Sequence, residues 1–264
     1  MPQAPRTLNQ FDSLVQVLKD LRGPDGCPWD KEQNHQTLTP YAIEEVHEMV
    51  EAIESGVDAD MQEELGDVLF QVVLHAQIAN ERQAFNIQDV IESIVSKIVR
   101  RHPHVFSNTQ VKNAGEVMQN WEAIKQEEKK NKPKNKPVLD VPPSMPALQR
   151  SHKIGEKTEK YKFDWTEVKS VIQKLKSEII ELEEAIEQKN SDHIQHEMGD
   201  VLFSAAQVSR HLNVEPESSL RQANNRFSQR FEAMIKKTSG VEDFTNLPSE
   251  EKEKLWKQVK RELE

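Results

Sequence analysis

The chain writes Glu-x-Gly-Asp-Val-Leu-Phe twice, once in "ELGDVLF" from Glu64 and again in "EMGDVLF" from Glu197, 133 residues apart. A match of that length at a fixed offset restricts the fold to two copies of one unit. The same offset carries Glu45 onto Glu178, Glu48 onto Glu181, Glu51 onto Glu184, Ala52 onto Ala185, Ile53 onto Ile186 and Glu54 onto Glu187, with no gap. An offset of 129 pairs Lys97 and Arg101 with Arg226 and Arg230. An offset of 135 pairs Trp121 and Lys125 with Trp256 and Lys260. One unit is therefore duplicated, with small length changes in its loops.

The unit reads as helix. "TLNQFDSLVQVLKDL" sets Leu8, Phe11, Leu14, Val15, Leu18 and Leu21 on one face. "RGPDGCPWD" interrupts it with Gly and Pro. Thr39 and Pro40 read as the N-cap and first position of a helix running to Gly56. Further helices are predicted over about Ala59–Glu81, Ile87–Arg101 and 114–130. After the midpoint they fall near Ala147–Lys160, Thr166–Lys189, Asp192–Leu212, Pro216–Lys237 and Ser249–Leu263. No strand-like alternation is found, so the predicted class is all-α. Between the halves, "NKPKNKPVLDVPPSMP" holds five prolines from Pro133 to Pro146. Proline removes backbone donors and breaks helix interiors. The predicted organisation is a helical domain at 1–131, a linker at 132–146 and a second helical domain at 147–264.

Composition removes several functions. The chain has 264 residues and a formal net charge of −10, the wrong sign for a protein that grips a nucleic-acid backbone. Eight glycines and no G-x-x-x-x-G-K-[ST] or G-x-G-x-x-G leave no glycine-rich phosphate loop. The single cysteine, Cys27, forms no internal disulfide and fits a reducing cytoplasm. The first residues show no apolar signal core, and no apolar run approaches the ~20 residues of a membrane span.

Glu45 and Glu48 are three apart on one helix, so they share a face; Glu64 and Asp67 repeat that spacing on the next helix. A short loop between antiparallel neighbours turns these four carboxylates toward one another. Glu178, Glu181, Glu197 and Asp200 repeat the arrangement. The plain alternative is a solvated acidic face. Solvated faces usually mix signs, yet Glu44 to Asp67 holds ten acids and no Lys or Arg. Glu64 and Asp67 also sit in an apolar segment, and the pattern survived duplication while its surroundings drifted. Clustered carboxylates are costly unless a cation neutralises them. Oxygen ligands without Cys suit Mg²⁺ or Mn²⁺, and Mg²⁺ commonly shares itself with substrate phosphates. A di-iron reading of Glu44-x-x-His47 is disfavoured, because the second copy has Ser177 and Ile180 at those places. His47 is then a surface or supporting residue.

A triphosphate needs further positive charge. Arg226 and Arg230 share a helix face, and a guanidinium offers a fixed fork of donors. Trp256 and Lys260 share another face, offering a flat surface and a point charge. Lys97, Arg101, Trp121 and Lys125 are their first-copy counterparts, and Asn224 is a weaker candidate. The plain alternatives are a core tryptophan and surface arginines.

Taken together, "EEVHE" from Glu44 and "ELGD" from Glu64 resemble the E-E-x-x-E…E-x-x-D signature of MazG-type nucleoside triphosphate pyrophosphohydrolases. "GCPWDKEQ", "RRHPHVF", "KFDW" and "WKQVK" resemble the two-copy bacterial members, so the resemblance covers nearly the whole chain. It implies two tandem MazG-like helical bundles, a homodimer, and Mg²⁺-dependent cleavage of NTPs or dNTPs to the monophosphate and pyrophosphate. House-cleaning of the nucleotide pool is the implied role. In the second copy it implies metal binding by Glu178, Glu181, Glu197 and Asp200, with Arg226, Arg230, Trp256 and Lys260 holding the nucleotide. The first copy presents Glu45, Glu48, Glu64 and Asp67 in the matching places. Ser177 departs from the signature, and His193 and Asp60 stand where a basic residue could help. The second copy is expected to be the main catalytic one. The rival reading is a helical module that senses nucleotides or docks a partner without hydrolysis.

Overall fold

Wherever the apolar spacing runs uninterrupted by Gly or Pro, the chain coils into helix. In a computed structural model that describes residues 2–130 and 137–263, no strand forms among the described residues. The chain divides into two compact units, Met1–Lys132 and Pro133–Glu264. Residues 132–136 of the expected linker lie outside the described residues, and residues 137–146 carry neither helix nor strand.

Unit 1 contains α1 (Phe11–Leu21), α2 (Pro28–Glu32), α3 (Thr39–Ser55), α4 (Asp58–Glu81), α5 (Ile87–Arg101), α6 (Pro103–Phe106) and α7 (Ala114–Lys130). Unit 2 contains α8 (Ala147–Glu159), α9 (Val168–Glu187), α10 (Ser191–His211), α11 (Pro216–Lys237), α12 (Val241–Asn246) and α13 (Ser249–Leu263). The one-turn helices α2, α6 and the short α12 were not anticipated. Each of α2 and α6 begins at a proline, which suits a first helical position because its missing N–H would be unpaired there.

The short turn after α3 positions the acidic residues. Gly56 adopts φ +72, a left-handed conformation that glycine enters without steric cost and that ends α3. The chain then enters α4 at Asp58, so α3 and α4 pack antiparallel. In unit 2, α9 ends at Glu187 and Asn190 caps α10, its side chain accepting from the His193 N–H at 3.2 Å. The α9–α10 pair is the counterpart of α3–α4, and α8 packs on α10 as α1 packs on α4.

Leu18, Leu38, Val73, Leu74, Ala76, Ile78 and Ile87 form the core of unit 1, with Leu14, Val15, Leu21, Phe70 and Val90 packed against it. Each fully buried Leu or Ile contributes about 1.5–3 kcal/mol relative to exposure. Two expectations fail here. Leu8 precedes α1 and is 83% exposed, because its backbone is not helical. Leu38, not Thr39, is the N-cap of α3, and the Thr39 hydroxyl instead donates to the His35 carbonyl at 3.0 Å.

In unit 2, Gly155 lets α8 approach α10 closely. A Cβ there would collide with Gln207 Oε1 and Arg210 Nε. Both side chains are buried, and Arg210 also pairs with Asp164 at 2.6 Å. Asp164 is lifted by burial, but hydrogen bonds from Arg210 and His211 outweigh this and hold it below the ordinary carboxylate range.

Candidate functional site

The antiparallel α3–α4 pair brings Glu45, Glu48 and Glu64 together, each with a carboxylate oxygen within 4.8 Å of the others. Asp67 stays outside this trio but is close enough to raise the proton affinity of Glu45 and Glu64. Gln71, one turn beyond Asp67, donates from Nε2 to Glu45 Oε1 at 3.4 Å. Burial and then the carboxylates of Glu48, Asp67 and Glu45 hold Glu64 above the usual range. Burial likewise raises Glu45, against the opposing bond from Gln71 and with added repulsion from Asp67 and Glu48. Among the described residues, no Lys, Arg or His forms an ion pair with this cluster, and Glu64 Oε2 is buried with no hydrogen-bond partner. A hard divalent cation fits that donor set: it would satisfy the orphaned oxygen and offset the repulsion.

Unit 2 repeats the geometry with different neighbours. Glu178, Glu197 and Asp200 have oxygens within 4.8 Å of one another, and Glu178 and Glu197 are each only 5% exposed. Glu181 lies outside this trio, so each copy unites three of its four expected ligands, and the omitted member differs between them. Lys174 Nζ donates to Glu178 Oε1 at 2.5 Å and lies 3.9 Å from Glu181 Oε1. The bond to Glu178 is the main cause that raises the Lys174 pKa. His193 Nε2 is 2.9 Å from Glu197, and His196 Nε2 is 3.4 Å from Asp200. The first-copy counterparts of Lys174, His193 and His196 are Tyr41, Asp60 and Glu63. The buried carboxylates of unit 2 are thus partly compensated by basic side chains, while the half-buried Glu45 and Glu64 of unit 1 have no basic partner among the described residues.

The expected basic and aromatic residues lie on other helices of each unit. On α5 and α7, the Arg101 guanidinium lies 5.4 Å from the Trp121 ring centroid, and the His102 ring sits edge-on to Trp121 at 5.0 Å. Arg101 is also clamped by Glu128, which additionally pairs with Arg100 at 2.7 Å. Hydrogen bonds from Arg101 and then Arg100 lower Glu128 to about 2. Lys125 pairs loosely with Glu122 at 3.9 Å, and Lys97 is half-buried on α5. On α11 and α13, Arg230 lies 5.8 Å from the Trp256 centroid and Phe227 packs on the same ring at 5.2 Å. Trp256 is half-buried, while Asn224, Arg226 and Lys260 are exposed. The place matching Glu128 is Leu263, so the carboxylate that clamps Arg101 has no equivalent at that position in unit 2.

Sequence reasoning missed Gln71 and Lys174. Lys174 was legible as an i,i+4 partner of Glu178. Gln71 carried no signal, since an amide two turns from Glu64 in an apolar run looks like any surface residue. His47 is exposed on α3 and outside the carboxylate trio, so an E-x-x-H metal motif does not form.

The fold and the clusters define a class, a duplicated all-α protein with a carboxylate knot between two antiparallel helices of each copy. Residues 33–106 and 166–237 both match the MazG nucleotide pyrophosphohydrolase domain, and these two segments hold the two carboxylate trios. The chain is 44% identical over 253 residues to the nucleoside triphosphate pyrophosphohydrolase/pyrophosphatase MazG of Thermotoga maritima, covering 95% of each. It is 40% identical over 260 residues to the nucleoside triphosphate pyrophosphohydrolase of Escherichia coli K12, covering 97% of this chain and 98% of that one. The chain belongs to the MazG nucleotide pyrophosphohydrolase family.

Proposed function

We propose that this protein is a nucleoside triphosphate pyrophosphohydrolase that cleaves NTPs and dNTPs to the monophosphate and pyrophosphate, cleaning the cytoplasmic nucleotide pool. The observation that carries this reading is the carboxylate trio repeated inside both family-matched segments. Glu178, Glu181, Glu197 and Asp200 hold Mg²⁺, or Mn²⁺ in its place; Glu45, Glu48, Glu64 and Asp67 offer the same donors in unit 1. When bound, such an ion neutralises triphosphate charge and lowers the pKa of water. Arg226, Arg230 and Lys260 take the remaining phosphate charge, and Trp256 offers its ring to the base. Water attacks the α-phosphorus, the bond to the bridging oxygen breaks, and pyrophosphate leaves with that oxygen. The carboxylates of the site orient the attacking water.

Unit 2 is the better candidate for this chemistry. Its buried pair Glu178 and Glu197 makes it the drier of the two clusters. A homodimer belongs to the same reading. Leu65, Leu69 and Val72 on α4 are 51%, 41% and 44% exposed, an apolar face with no cover within the unit. A Cβ at Gly66 or Gly199 would meet nothing within 4 Å. A glycine inside a helix costs about 1 kcal/mol, and close approach of another helix backbone is a reason to retain it. Among the described residues, no helix is long and apolar enough to cross a membrane.

The test is product analysis with purified protein, excess Mg²⁺ and a panel of NTPs and dNTPs. Monophosphate plus pyrophosphate, abolished by chelator and by Glu178→Gln, is the expected result. Diphosphate plus phosphate would reject attack at the α-phosphorus. Full activity in Glu178→Gln would reject unit 2 as the site.

A further inference from the structure

The two carboxylate clusters occupy matching places in the two copies, and among the neighbours that differ one stands at the rim where a cation enters. Unit 1 places Tyr41 where unit 2 places Lys174. The Lys174 ammonium occupies the rim of its cluster, 2.5 Å from Glu178 and 3.9 Å from Glu181, while its own side chain is 42% exposed. That exposure matters. An ammonium on a flexible four-carbon stem at a wet rim can change partners without unfolding its helix, whereas buried Glu178 cannot follow it out. A divalent cation bound by Glu178 needs the same oxygen that Lys174 now holds, and two cations on one carboxylate repel. The displaced ammonium then needs an anion, and a triphosphate brought to the same carboxylates supplies one.

We propose that Lys174 couples cation entry to triphosphate binding in unit 2: it acts as a resident counter-ion to Glu178 and Glu181 and transfers to the substrate phosphates when the divalent ion arrives. Lys174 is then a substrate-positioning residue, and the unit 2 site takes a divalent cation weakly alone and strongly together with nucleotide. This rests on the reading of Glu178, Glu197 and Asp200 as metal ligands. Unit 1, with Tyr41 in place of the lysine, has no such coupling.

Mn²⁺ binding to the full chain, followed by electron paramagnetic resonance, tests it, with and without a non-hydrolysable α,β-methylene triphosphate. The Mn²⁺–analogue complex measured without protein is subtracted. The Mn²⁺ bound by the native chain and lost in Glu178→Gln defines the unit 2 site. For the native chain, the analogue is expected to tighten this binding by about tenfold or more, a normal size for linked sites. Lys174→Met is expected to tighten nucleotide-free Mn²⁺ binding by roughly tenfold and to shrink the enhancement, because the counter-ion that opposes the lone cation is gone. Lys174→Arg, which keeps the charge, should retain most of the native coupling. Unchanged nucleotide-free binding in Lys174→Met, or an undiminished enhancement, would overturn the proposal while leaving the metal site intact. If Glu178→Gln removes no Mn²⁺ under either condition, the metal-ligand reading itself fails and takes the proposal with it. Circular dichroism of each variant confirms that α9 still folds.

Discussion

Replacing Gly155 with alanine should unlock the α8–α10 contact that frames unit 2. The new methyl would overlap Gln207 Oε1 and Arg210 Nε and come within 3.0 Å of Arg210 Cδ. Neither side chain is free to yield. Gln207 is 1% exposed, donates to the Ser151 carbonyl at 2.7 Å, and accepts from Arg210 Nε at 2.9 Å. Arg210 is held by Asp164 at 2.6 Å. Overpacking costs about 1–3 kcal/mol. Loosening a charged hydrogen bond in this network adds about 1.5–3 kcal/mol. Against this, alanine gains about 1 kcal/mol of helix propensity over glycine. The net is a loss of about 1.5–5 kcal/mol. For a unit of roughly 130 residues, with an unfolding entropy of about 2.1 cal/mol/K per residue, that lowers the unit 2 transition by roughly 5–18 °C. Differential scanning calorimetry reads this directly. The control is Gly199→Ala on α10, where the added methyl meets nothing within the unit. A Gly155→Ala transition at or above the native temperature would refute the close-packing argument.

Other expectations follow from the same geometry. Gly66→Ala and Gly199→Ala should each raise helix stability by about 0.5–1 kcal/mol while weakening self-association, as measured by sedimentation equilibrium; unaltered association would show that these faces lie outside any dimer interface. Glu128, held at about 2 by Arg101 and Arg100 against an ordinary 4.5, stabilises the fold fully above its unfolded value, and that contribution is lost as pH falls from 4.5 toward 2. Melting of Glu128→Gln should therefore lie below that of the native chain at pH 7, with the gap narrowing as pH falls below 4.5 and closing only near pH 2; a constant gap would contradict the assignment. Mg²⁺ should raise the melting temperature of unit 1 by preferring its native cluster, and Glu45→Gln should blunt that rise without nucleotide present; an equal rise in the variant would remove Glu45 from the ligand set.

Most of the architecture was legible because duplication and periodicity are regular signals. The bounds of α5, α11 and α13 coincide with prediction because each begins or ends where local chemistry changes abruptly. Asn86 and Asp89 form a capping box at the start of α5, and Pro216 opens α11 beneath a Glu215 cap. Thr39 was misread because Leu38 holds the N-cap position and the Thr39 hydroxyl donates back to the His35 carbonyl instead of accepting from a helix N–H. The one-turn helices are shorter than the period that would reveal them, so only their prolines could have marked them.

The candidate site was legible at the level of residue type but not of electrostatic state. The absence of Lys and Arg from Glu44 to Asp67 correctly marked the first cluster as uncompensated. Applied to the second copy, the same sign test finds Lys174 one turn before Glu178, with His193 and His196 one turn before Glu197 and Asp200. Duplication preserved the carboxylates, while substitutions around them changed what each cluster needs. A carboxylate knot without counter-charge favours a free cation. One with an exposed lysine on its rim favours a cation that arrives with an anion for that lysine to follow.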